Sequence, residues 1–344
     1  MKKLCLLRLS AIGDVCHAVT LVNRIRSYWP DTELTWIIGK IEYQLVQHLS
    51  GVRFIIFDKS RGKAAYEELK ATLKGERFDA LLMMQVALRA NLISRAVRAD
   101  KRIGFDWQRS KELHWLFTNN RIDPQTHAHV LDGFMAFGDA LGLPRPQAPD
   151  WQIPIPEEAT RWAKSERNQL GKFAIISPAA SKAERNWLPE RYAQVADALN
   201  QRGIKTVLCG GPADMDRALA AKIQRHTDHI SADYVGQTSL AQLMALIGEA
   251  DLVIAPDTGP AHMATSINTP VIGLYAHSNP RRTGPYRDQH RVVSVYDEVI
   301  KEQRGKPWTE LPWGARAKGE NLMTRISVKA VEARIDDWLA EQDG

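Results

Sequence analysis

The sequence predicts an α/β protein made of two Rossmann-like domains, and three observations carry that prediction. Short apolar runs alternate with helix-like stretches along the whole chain, the pattern of parallel βα units. The runs are apolar at nearly every position rather than every second one, as strands covered by helices on both faces require. Between the halves lies a stretch from Pro144 to Pro156 with five prolines in thirteen residues, which neither a helix interior nor a central strand tolerates.

Taken in order, Leu4 to Leu9, Leu34 to Ile38, Phe54 to Phe57 and Ala80 to Met84 read as buried strands of the first half. Helical spacing fills Val15 to Trp29 and Ala64 to Lys74 between them. Phe173 to Ser177, Thr206 to Cys209, Leu252 to Ala255 and Val271 to Tyr275 repeat the scheme in the second half, with a helix from Glu190 to Leu199. Val328, Val331, Ile335 and Leu339 fall on one face of a last helix, expected to pack back on the N-terminal domain. A chain of 344 residues suits two domains of about 100–200 residues each. The expected divisions are 1–150, 151–325 and the terminal helix 326–344, with the proline stretch as a semi-rigid linker.

Composition is that of an ordinary globular protein, 44% hydrophobic and 25% charged. No run approaches the roughly 18 apolar residues of a membrane span. The basic start Met1-Lys2-Lys3 followed by Leu4-Cys5-Leu6-Leu7 imitates a signal peptide, but Arg8 breaks the apolar stretch too early, so it reads as the first strand. Cys5, Cys16 and Cys209 have no metal-ligand or paired spacing, which fits a reducing, cytoplasmic compartment. The net charge of +6 favours anionic partners without selecting one.

Ligands of such folds bind where strands give way to helices at their carboxyl ends. The first such turn is Ser10-Ala11-Ile12-Gly13-Asp14, where Gly13 allows close approach. Asp14 there either caps its helix or presents a carboxylate able to take a proton from a hydroxyl. The second is Pro256-Asp257-Thr258-Gly259-Pro260-Ala261-His262. Pro260 suits a first helical turn, the amides of Thr258 and Gly259 point outward with the positive helix end, and His262 lies one turn in; such a site holds a diphosphate. In Ser177-Pro178-Ala179 through Arg185-Asn186-Trp187, Lys182 and Arg185 are either solvated loop charges or cations for a departing diphosphate. Asp214-Met215-Asp216 has the look of a metal motif but sits where acids suit a helix start, and His127-Ala128-His129 lacks companion ligands; no metal site is expected. The chain lacks Gly-x-Gly-x-x-Gly, a Walker loop and any nucleic-acid-binding motif.

Together the Ser10–Asp14 turn, the Ser177–Trp187 loop and the Asp257–His262 turn resemble the ADP-heptose:lipopolysaccharide heptosyltransferases of glycosyltransferase family 9, over nearly the whole chain. Ile103-Gly104-Phe105, His129 to Phe134 and Leu311-Pro312-Trp313 look most like the heptosyltransferase I branch. The resemblance implies a GT-B architecture, two Rossmann-like domains facing across a cleft, with the acceptor on the N-terminal and the nucleotide sugar on the C-terminal domain. It implies inverting, metal-independent transfer of L-glycero-D-manno-heptose from ADP-heptose, a substrate rather than a cofactor, to a Kdo residue of lipid A. Asp14 falls on the general base, and Asp257, Thr258, Gly259 and His262 on the donor motif. Arg185 stands where the family often has Lys, and Thr238 where members meet the adenine edge. Lys182 joins the donor set; Ser10, Gly13, Lys59, Arg61 and Lys63 are expected at the acceptor. Cations and aromatics from Lys101 to Phe117 are expected to meet the acceptor or the inner membrane surface. Another nucleotide-sugar donor or acceptor, a GT-B epimerase, and a non-catalytic glycolipid- or nucleic-acid-binding protein are the competing readings.

Overall fold

A computed structural model describes residues 1–342, which divide into two compact units, the first Met1–Pro154 and the second beginning at Ile155. The first unit is a parallel sheet of six strands: β1 (Lys3–Leu7), β2 (Glu33–Gly39), β3 (Val52–Phe57), β4 (Phe78–Met83), β5 (Ala99–Gly104) and β6 (Asn120–Arg121). Their order is β3-β2-β1-β4-β5-β6. β1 is central because Leu4 to Leu7 are apolar on both faces; Leu6 lies opposite Trp36 on one side and Leu82 on the other. Each such buried Leu contributes about 1.5–3 kcal/mol. The helix Ile12–Tyr28 follows β1 and packs against the helix Val130–Ala140. Its Arg24 is buried but satisfied: the guanidinium donates to the carbonyls of Met135, Leu143 and Pro144 and to the Asp139 carboxylate.

The second unit repeats the plan with β7 (Phe173–Ile176), β8 (Lys205–Leu208), β9 (Ile230–Asp233), β10 (Leu252–Pro256), β11 (Val271–Tyr275) and β12 (Val293–Ser294), in the order β9-β8-β7-β10-β11-β12. Counted from its own first strand this is the same 3-2-1-4-5-6 order as in the first unit. That order reverses direction between β1 and β4 in one unit and between β7 and β10 in the other. Loops leaving those strands part to opposite sides of the sheet and leave a crevice for ligand.

Two expectations are corrected. The final helix, Val328–Gln342, spends its apolar stripe within its own unit: Val331, Ile335 and Trp338 are fully buried in the second unit's core, beside Tyr192 and Ile326. It is therefore part of that unit's core and not a segment separate from it. The proline stretch is docked over its first part. Trp151 is 2% exposed, and the Asn23 amide donates to the carbonyls of Asp150 (3.2 Å) and Trp151 (2.9 Å), so the division falls after Pro154.

Candidate active site

The turn after β1 is built around a largely enclosed cation. Arg8, just past the strand, donates to the Met84 carbonyl after β4 (2.5 Å) and pairs with the Asp14 carboxylate in the first turn of the helix Ile12–Tyr28. The same Asp14 oxygen accepts from the Ala11 amide (3.4 Å), so the side chain does close its helix end. It is nevertheless 31% exposed, whereas Arg8 is 11% exposed. Gln85 ties the turn to β4 by accepting from the Leu9 amide (2.8 Å) and donating to the Ser10 hydroxyl (3.4 Å). Gly13 is buried within the first turn.

A second carboxylate stands beside this turn. Burial pushes the Glu42 carboxyl up, against the charges of Lys59 and Arg8. Gly39 is required there: a Cβ would lie 2.3 Å from the Leu9 oxygen and 2.4 Å from Glu42 Oε2. Lys59, Arg61 and Lys63 are exposed on the loop leaving β3, on the same carboxyl edge of the sheet. Asp58 accepts from the Ser60 amide (3.0 Å) and shapes the loop; Arg61 meets Glu68 at the surface.

In the second unit the centre is Asp257, at the turn from β10 into the helix Gly259–Ser266. Its carboxylate accepts from Ser278 Oγ (2.8 Å) and lies 3.4 Å from Arg185 Nη1, with His262 Nε2 at 3.9 Å. Burial works to raise this carboxyl, but His262, Arg185 and Ser278 outweigh it and hold it below the usual carboxylate range. The loop from β7 delivers Arg185 accurately because its ends are fixed. Asn186 Oδ1 accepts from the Ala180 amide (2.7 Å), and the buried Trp187 donates to the Ile326 carbonyl (3.1 Å). Thr258, at the helix start, keeps a buried hydroxyl without a partner. Thr238, at the turn into the helix Leu240–Glu249, does the same. Lys182 is exposed at the head of the Arg185 loop. Arg185, Asp257, Tyr275, His277, Ser278 and Met323 line a small recess. His277 is buried and its Nδ1–H donates to the Ala317 carbonyl (3.2 Å), leaving Nε2 without a hydrogen-bond partner.

The sequence profile of glycosyltransferase family 9 (heptosyltransferase) matches residues 66–313. The chain belongs to that family. It is 46% identical to the lipopolysaccharide core heptosyltransferase OpsX of Haemophilus influenzae, over 96% of this chain and 95% of the relative. Its fold matches the glycosyl transferase family 9 protein of Veillonella parvula, with a TM-score of 0.79 at 22% identity over 99% of this chain and 97% of that one. It also matches the Escherichia coli heptosyltransferase WaaC solved with ADP, with a TM-score of 0.75 at 20% identity over 98% of this chain and all of that one. The α/β fold of the GT-B heptosyltransferases and the family resemblance are thus borne out.

Within this family 9 chain the structure brings Asp257, Arg185 and His262 into one cluster, with Thr258 next in the turn. Arg8, Glu42, Ser278 and His277 were not among the expected residues. Arg8 did carry a signal, a lone cation interrupting a buried apolar run. Ser278 and His277 follow β11 and meet Asp257 only through the fold. Of the cations expected at the acceptor or membrane, Arg102 is committed internally, donating to the carbonyls of Val97, Ser94 and Phe117. Arg109 is held by Asp106 and Gln125. Asp216 accepts from the Gly211 amide (2.8 Å), and His129 Nδ1 accepts from the Leu131 amide (3.1 Å), so both serve turns and helix starts.

Proposed function

We propose that the protein transfers L-glycero-D-manno-heptose from ADP-heptose to a Kdo residue of the lipid A inner core, with inversion and without a metal, at the cytoplasmic face of the inner membrane. The observation that carries this reading is the Asp257 cluster at the switch point of the second unit. A largely enclosed carboxylate there orients Arg185 and His262 beside a helix start whose Thr258 hydroxyl is unpaired. Asp257 serves to aim those groups, while Arg185 and the amides of Thr258 and Gly259 receive the diphosphate, Lys182 adds charge at its rim, and Thr238 meets the base. The name of the 46% identical relative, a lipopolysaccharide core heptosyltransferase, and the ADP bound by WaaC agree with the coarser part of this reading, heptose transfer in the lipopolysaccharide core with an ADP-linked donor.

In this reading the first unit, through Ser10, Gly13, Lys59, Arg61 and Lys63, receives the anionic acceptor. Asp14 takes the proton of the acceptor hydroxyl as its oxygen attacks the anomeric carbon. The bond to ADP breaks in the same displacement, so the configuration inverts and no covalent enzyme intermediate forms. Charge gathers on the departing ADP, where Arg185 and the helix start stabilise it. Arg8 keeps Asp14 in place without burying it.

The test is a release assay. Purified protein with ADP-heptose and Kdo-lipid A is expected to release ADP, undiminished by EDTA. Turnover only with another nucleotide sugar would replace the donor, and glycolipid binding without any turnover would replace the enzyme reading.

A further inference from the structure

The first unit carries an apolar surface that its own fold leaves uncovered. Leu88 and Leu92 on the helix Leu88–Ile93, with Trp107, Leu113, Trp115 and Leu116 on the segment joining β5 to β6, are 42–63% exposed. Six large apolar side chains exposed within thirty residues exceed the scattered exposure of an ordinary surface. The two stretches are pinned into one face. Glu112 accepts from the Leu88 amide (2.5 Å), the Asn91 amide donates to the Glu112 carbonyl (3.0 Å), and His114 Nδ1 meets Asn91 Oδ1 (2.8 Å). Trp107 and Trp115 lie 6.3 Å apart, and the Arg121 guanidinium stacks on Trp107 at 4.0 Å.

Charge decides what such a face fits. Arg89 on the helix, Arg95 just past its end and Lys111 on the segment after β5 are exposed. Of the nearby acids, Asp106 is buried against Arg109, Asp100 pairs with Arg77, and Glu112 is turned onto the helix. The face is therefore apolar at its centre and cationic at its margin, with two tryptophans of the kind that settle at a lipid–water boundary. Its position matters equally. Both stretches leave the carboxyl ends of their strands, the edge that also carries Asp14, and Arg8 and Gln85 bind that turn to the end of β4.

We propose that this face, formed by Leu88–Ile93 and the 105–117 segment, docks the protein on an anionic lipid bilayer, with the leucines and tryptophans entering the headgroup boundary and Arg89, Arg95 and Lys111 against lipid phosphates. The proposal rests on the reading above, in which the acceptor is a membrane lipid, and it gives that acceptor a route to the Asp14 edge.

The experiment is sedimentation of the full chain with phosphatidylglycerol/phosphatidylcholine vesicles, beside phosphatidylcholine vesicles alone, at low and high salt. The wild type is expected to bind the anionic vesicles, more weakly in high salt, and to bind neutral ones poorly. Leu92→Gln/Leu116→Gln should lower vesicle affinity about tenfold, and Arg89→Glu/Arg95→Glu at least as much. Both variants should release ADP normally with a deacylated, water-soluble Kdo acceptor, which also checks that they fold. Absent binding by the wild type, or equal binding by both variants, overturns the proposal. So does a wild-type dimer that Leu92→Gln/Leu116→Gln dissolves, since the face would then join two copies of the chain. Failure of the release assay would strike the transfer reading alone, because vesicle binding is measured without substrate.

Discussion

The two units share one strand order, yet the carboxylates at their switch points are built in opposite ways. Asp14 has one cationic partner, Arg8, and keeps 31% of its side chain open. Asp257 is 13% exposed and is surrounded by Arg185, His262 and Ser278. A carboxylate that must collect a proton needs an approachable oxygen, whereas one that must aim other groups needs every oxygen engaged. The same backbone plan thus holds an open carboxylate in one unit and a fully engaged one in the other, and the base and scaffold roles proposed above follow that difference in partners.

The largest effect that would break this comparison lies at Asp14. Asp14→Asn keeps the shape but cannot accept the proton, so kcat should fall by about 10²–10⁴-fold while ADP affinity, measured by calorimetry, stays unchanged. Retained turnover would leave the exposed carboxylate with no more than a capping role.

Acid should separate the units next. Burial pushes the His114 imidazole of the first unit down to about 4, helped by the charge of Arg121, against 6.5 for the free group. Below pH 6.5 the unfolded chain takes a proton there that the folded unit refuses. Stability from this group is complete above about pH 6.5 and is lost as pH falls towards 4, by about 3 kcal/mol in all. Asp257 is depressed, so its contribution stands above the unfolded carboxylate value of about 3.9 and disappears only as pH falls below that through its folded value. Urea unfolding at pH 7, 5.5 and 4.5 should show the slope, and His114→Asn should flatten it over that window. An unchanged slope would clear His114.

What the sequence made legible follows from burial. Seven of the eight strands expected from apolar runs lie inside their sheets, where both faces must be apolar, and β1, β4, β7, β10 and β11 consist almost wholly of buried residues; the eighth, β3, is an edge strand that stood out because it reads Val-Arg-Phe-Ile-Ile-Phe. The four not expected, β5, β6, β9 and β12, lie towards the margins of their sheets and read Ala-Asp-Lys-Arg-Ile-Gly, Asn-Arg, Ile-Ser-Ala-Asp and Val-Ser, with too few apolar positions to stand out. The site follows the same logic. Asp14, Asp257 and Arg185 lie in turns whose residue types state their local purpose. Ser278 reaches Asp257 from 21 residues away and Glu42 reaches the Leu9 turn from a different βα unit, and no local pattern reports such meetings. The terminal helix shows a related limit: periodicity reveals that its Val331, Ile335 and Trp338 face is apolar, and only the fold reveals that the second unit's core receives it.

The smallest effect sharpens the comparison most, because it asks whether Arg185 belongs to the ligand or only to Asp257. Arg185→Ala should weaken ADP binding about tenfold, or about 1.4 kcal/mol, within the range of one charge-assisted hydrogen bond. The substitution also strips the buried Asp257 of a cation, so some loss is expected from scaffolding alone. Nucleotides with fewer phosphates separate the two. If Arg185 meets the diphosphate, the variant loses affinity for ADP but hardly for adenosine, and Arg185→Lys recovers part of it by restoring the charge without the planar fork. If Arg185 serves only to hold Asp257, ADP and adenosine weaken together, the variant unfolds at lower urea, and lysine brings back stability with no selective return of ADP affinity. In that event the second unit's cluster would be scaffold throughout, and the diphosphate contact would rest on the helix start at Thr258 and Gly259.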